Sequence, residues 1–124
     1  MNRVPVGLNY YLNEAGDYMD MQIRNELEKI KQTILHTVET EEIYLFGPYA
    51  EGIFSEDSDF DICVVIPDDS IRPLEAMQII DRVLYQEQKK PINILVRRAS
   101  DFQQRKLLST LERTIAQEGV RLYG

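Results

Sequence analysis

The alternation of apolar and polar positions divides the chain into recognisable elements. From Asp17 onward, Ile23, Leu27, Ile30, Ile34 and Val38 recur at helical spacing, with Arg24, Glu28, Lys29 and Lys31 elsewhere around the turn. This pattern predicts an amphipathic helix of roughly 20 residues. Glu41 and Glu42 lead into Ile43-Tyr44-Leu45-Phe46, a short strand ended by Gly47. Pro48 suits the first position of a helix, so Gly47-Pro48 predicts a turn opening a short helix to about Ile53. A polar loop, Ser55-Glu56-Asp57-Ser58, precedes a second strand from Phe60 to Ile66, which Pro67-Asp68-Asp69-Ser70 breaks. Leu74, Met77, Ile80 (or Ile79) and Leu84 mark another helix, and Ile92 to Val96 a third strand. Ser100 or Asp101 can cap a final helix with the stripe Leu107, Leu108, Leu111 and Ile115, ended by Gly119. Val120 to Tyr123 reads as a short tail. Residues 1–16 carry Pro5, Gly7, Asn9, Asn13 and Gly16 without a period and read as a loose N-terminal arm. Tyr10 and Tyr11 could dock that arm on the domain or on a partner. Residues 17–124 form one domain.

This order predicts an α/β (α+β) fold. A small mixed three-stranded sheet would carry helices on one face and bury Phe60, Ile62, Val64 and Ile66. Strand alternation then places Asp59 and Asp61 together on the opposite, open face. Adjacent carboxylates repel unless a cation lies between them, and hard oxygen ligands suit Mg²⁺. Asp57-x-Asp59-x-Asp61 is no calcium loop, because Ile62 stands where a glycine is needed and an apolar strand follows.

Composition narrows the functions open to such a domain. The chain has 124 residues and a formal charge of −7, which disfavours general binding to duplex nucleic acid. No apolar run approaches the roughly 20 residues of a membrane span, and the first residues lack the apolar stretch of a secretory signal. The single cysteine, Cys63, lies in a predicted strand and reads as a buried or half-buried residue, which fits a reduced, cytoplasmic setting. The single histidine, His36, reads as a helix-surface residue. Lys89, Lys90, Arg97, Arg98, Arg105 and Lys106 read as a solvated rim, and Tyr49, Tyr85 and Tyr123 as packing or interface residues.

Leu45-Phe46-Gly47-Pro48-Tyr49-Ala50-Glu51-Gly52, followed by Asp57-Ser58-Asp59-Phe60-Asp61-Ile62, resembles the signature of the DNA polymerase β-like nucleotidyltransferases, in particular their minimal branch. The resemblance covers roughly Glu42 to Val96, and Glu118 to Tyr123 also looks like that branch. It implies a nucleotidyltransferase fold, transfer of a nucleoside monophosphate from a nucleoside triphosphate (NTP) to a hydroxyl, and Mg²⁺ as cofactor. It also implies that Asp59 and Asp61 are metal ligands and that Gly47 and Pro48 form the phosphate loop. Asn93 stands where a third catalytic carboxylate is expected.

The chain departs from the pattern at three positions. Pro48 replaces a serine, removing a hydroxyl and a backbone N–H. Glu51 replaces a basic residue and would repel a triphosphate. Asn93 can offer a neutral oxygen but cannot act as a base, and loss of a general base costs roughly 10²–10⁴ in rate. Glu87 and Asp101 are the nearest other acids, both outside the predicted strand. The minimal branch is commonly paired with small helical HEPN proteins in toxin–antitoxin-like modules. The alternative reading is therefore a catalytically impaired domain acting as a binding partner of such a protein. A homo-oligomer is also left open.

Overall fold

The structure is a computed structural model that describes residues 17–55, 57–87 and 90–124, with side chains from residue 21 onward. The expected N-terminal arm lies outside the described residues. Helix α1 (Asp17–Thr37) leads to strand β1 (Glu42–Phe46), helix α2 (Pro48–Glu51) and strand β2 (Phe60–Ile66). Helix α3 (Pro73–Tyr85), strand β3 (Ile92–Arg98), helices α4 (Ala99–Arg105) and α5 (Leu111–Glu118), and strand β4 (Val120–Tyr123) follow.

The four strands form one mixed sheet in the order β3-β2-β1-β4. Strand β1 runs antiparallel to both β2 and β4, whereas β2 and β3 are parallel. The expected third strand is thus followed by a fourth. Val120 and Leu122 alternate inward and are buried, so the tail closes the free edge of β1. Gly119 makes this return possible. A Cβ there would meet the carbonyl oxygens of Ile115 and Leu45 at 2.5 and 3.0 Å, so only glycine lets α5 end this close to β1.

The main core lies on one face of the sheet. Leu27, Ile30 and Ile34 of α1 and Ala76, Ile80 and Leu84 of α3 pack with Ile43, Leu45, Phe60, Ile62, Val64 and Ile66. The α1 stripe follows the helical period, and the β2 residues follow strand alternation. In α3 the buried positions are Ala76, Ile80 and Leu84, while Leu74 faces solvent.

Helices cover the second face as well, contrary to the one-sided arrangement expected from sequence. There Tyr44, Cys63 and Val65 pack with Phe102 of α4 and Ile115 of α5. Tyr44 and Phe102 stack with centroids 5.5 Å apart. The expected last helix is two helices, and its leucine stripe is not core. Leu107, Leu108 and Leu111 are exposed, because the chain turns between α4 and α5 and Thr110 caps a new helix by accepting from the Arg113 N–H. The second face stays open where β2 and β3 begin, and that gap holds the aspartate pair.

Candidate active site

Strand β1 ends at Phe46, which lies opposite Asp61 of β2. At Gly47 the chain turns through φ 75° and ψ −158°, a conformation essentially reserved for glycine. Pro48 then opens α2, whose first turn closes through the Ala50 and Glu51 N–H groups donating to the Gly47 carbonyl at 3.0 and 3.1 Å. The turn brings the Gly47 backbone onto Asp61. A Cβ at residue 47 would collide with Asp61 Oδ2 and come within 3.1 Å of its Cγ. Tyr49 supports this corner from below, its ring centroid 4.3 Å from that of Phe54 and 4.6 Å from that of Phe60.

The parallel register sets Asp61 beside Asn93 and Phe60 beside Ile92. Phe60 and Ile92 point into the main core, so Asp61 and Asn93 share the open face. Asp59, just ahead of β2, reaches the same place. The Asn93 side-chain NH₂ donates to Asp61 Oδ1 at 2.9 Å and to Asp59 Oδ2 at 3.3 Å. Asp59 and Asp61 are half-buried and Asn93 is exposed, so the cluster opens to solvent.

The structure therefore brings together Gly47, Asp59, Asp61 and Asn93, with Pro48 on the adjoining turn. It does not add Glu87 or Asp101. Glu87 accepts a hydrogen bond from Thr33 of α1 at 2.9 Å, and Asp101 is exposed on the first turn of α4. Among the described residues, no three His, Cys, Asp or Glu side chains are grouped to hold a metal ion. The oxygen donors in place are those of the two carboxylates, to which the Asn93 amide presents its NH₂. Two carboxylates open to solvent fit a hydrated divalent cation that keeps some of its waters.

A second polar cluster lies behind the site. Glu112 of α5 is 1% exposed and accepts from Arg97 Nε of β3 at 2.7 Å and from Arg105 Nε of α4 at 3.1 Å. Burial works to raise the Glu112 carboxyl, but Arg97, the backbone and Arg105 outweigh it and hold the group below its ordinary range. Both arginines keep part of their side chains in solvent, as a rim would, but each also holds the buried Glu112. The signal in the sequence is that Glu112 lies one helical turn before Ile115. Cys63 is fully buried, as expected of a strand residue. Burial pushes its thiol up to about 12, against a lowering by Arg97. His36 is exposed on α1, as expected.

The family model described as nucleotidyltransferase domain matches residues 16–121. The chain belongs to that family. Among solved structures, a mutant of the toxin–antitoxin complex MntA–HpeT is 20% identical to this nucleotidyltransferase-family chain. The match has a TM-score of 0.56 and covers 78% of this chain and 72% of that one. A toxin–antitoxin complex with AMP-PNP is 22% identical, with a TM-score of 0.52 and the same coverage. A structure assigned as a nucleotidyltransferase from Sulfolobus solfataricus is 17% identical, with a TM-score of 0.57 and 89% of each chain covered. At these identities the likeness is one of fold. No curated protein sequence matches the chain. Among the described residues, no helix is long and apolar enough to cross a membrane.

Proposed function

We propose that this nucleotidyltransferase-family protein binds a nucleoside triphosphate with a divalent cation, Mg²⁺ by its donor chemistry, and transfers the nucleoside monophosphate to a hydroxyl. The observation that carries this reading is the convergence of Asp59, Asp61 and Asn93 against the Gly47 turn. Asp59 and Asp61 would hold the cation, and the side-chain-free Gly47 turn would let phosphate approach the backbone. When bound, the cation supplies charge stabilisation to an in-line displacement in which the acceptor oxygen bonds to the α-phosphorus and pyrophosphate leaves. The protein's own share is mainly positioning. Asn93 orients the two carboxylates, and the Pro48 ring fixes the turn while offering no N–H to phosphate.

The acceptor proton is the weak point of this chemistry. Asn93 is an amide and cannot take it, so transfer should be slow. That same observation favours a second reading, in which the domain holds nucleotide and acts mainly through another protein. The fold likeness to two toxin–antitoxin complexes supports a protein partner, and a small helical HEPN-type protein is our specific candidate.

The test is Mg²⁺-dependent pyrophosphate release from each NTP, paired with calorimetric titration of Mg²⁺ and NTP. Transfer predicts slow release that Asp59→Ala or Asp61→Ala abolishes. Binding without transfer predicts heat but no release. Absence of both in the wild-type protein would overturn the nucleotide-binding reading.

A further inference from the structure

Asn93 does more than stand in a carboxylate's place. Its NH₂ bridges one oxygen of each carboxylate, Asp59 Oδ2 and Asp61 Oδ1. Chemistry fixes this orientation in the cation-free protein. The amide carbonyl would add a third acceptor beside two carboxylates, whereas the NH₂ offers a donor to each. A cation between the aspartates reverses the requirement, because a metal ion takes oxygen and cannot approach an N–H. Before the pair can share a cation, the amide must release both carboxylates and turn over.

We infer that Asn93 is an amide latch on the aspartate pair, a positioning residue that competes with the cation for the two carboxylates. The inference rests on the proposed metal role of Asp59 and Asp61. The latch keeps the pair together without metal and weakens its hold on free divalent cation. Ligands from an incoming triphosphate would then be needed to open it, so cation and nucleotide should bind with positive coupling. The rest of the site does not impose this behaviour. Gly47 meets Asp61 through Oδ2, the oxygen that Asn93 leaves free.

The experiment is a Mn²⁺ titration of wild type, Asn93→Ala, Asn93→Asp and Asp61→Ala, read by calorimetry. It is paired with the NMR signals of the Asn93 side-chain amide in metal-free protein. Removing the latch should tighten Mn²⁺ binding about tenfold in Asn93→Ala, the scale of one hydrogen bond to a charged group. Asn93→Asp should bind more tightly still, and Asp61→Ala should not bind. The wild-type amide protons should be shifted downfield, and titrating Mn²⁺'s diamagnetic substitute Mg²⁺ with NTP should move them to the position of a free amide. Wild-type affinity equal to or greater than that of Asn93→Ala would overturn the latch while leaving the metal site standing. Absence of Mn²⁺ binding in all four proteins would overturn the metal site, and the latch with it.

Discussion

At the scale of single residues, the site depends on an absent side chain as much as on the carboxylates. Gly47 has a positive φ and its Cβ position is filled by Asp61. Gly47→Ala should therefore cost about 1–3 kcal/mol of stability from backbone strain and also displace Asp61. Urea unfolding should show the first effect, and Mn²⁺ titration should show a loss of affinity. A variant as stable and as tight-binding as wild type would refute the account. Much of this was legible beforehand. Asp59 and Asp61 share a face because strands alternate, and a glycine between strand and proline marks a turn. The direction of the Asn93 amide was not legible. It follows from two carboxylate acceptors meeting one amide, a contact made by the parallel register between β2 and β3 across positions more than 30 residues apart.

At the scale of elements, the least legible part was the chain after β3. The stripe Leu107, Leu108, Leu111 and Ile115 has helical spacing, yet only Ile115 is buried. The warning was Ser109-Thr110 within the stripe, since Thr110 makes a better cap than a helix interior. What anchors α4 and α5 is polar. Glu112 joins both helices to β3 through Arg105 and Arg97. Glu112→Gln should lose about 1–3 kcal/mol at neutral pH, the scale of hydrogen bonds to a charged, buried group. The folded carboxyl is held below its ordinary value, so its contribution is present above the unfolded pKa and is lost as pH falls through the folded one. Chemical denaturation of both proteins across pH 2–7 should show their stabilities converging in acid. A constant difference would mean that charge is not the cause.

At the scale of the molecule, sequence predicted a sheet with one covered face, and the structure has two cores on opposite faces. The second was hard to foresee because β2 is apolar on both sides from Ile62 to Ile66, a run that alternation alone cannot resolve. Cys63 sits in that second core and reports on the whole fold. With its thiol pushed up to about 12, it should react with iodoacetamide at pH 8 at least about 10³-fold more slowly than an unfolded cysteine. Rapid labelling of the native protein would contradict the burial. The sign of the linkage is also fixed. An unfolded thiol ionises before the buried one, so stability should fall as pH rises from about 9 toward 12. The same burial has a practical consequence. The chain has one cysteine, and it is sealed. A second cysteine introduced at exposed Glu51, on the helix that the Gly47 turn opens, would be the single chemical handle for a fluorophore or spin label. Such a probe would sit on the turn of helix whose N–H closes onto the Gly47 carbonyl, and the native cysteine would not have to be removed to make its signal unique.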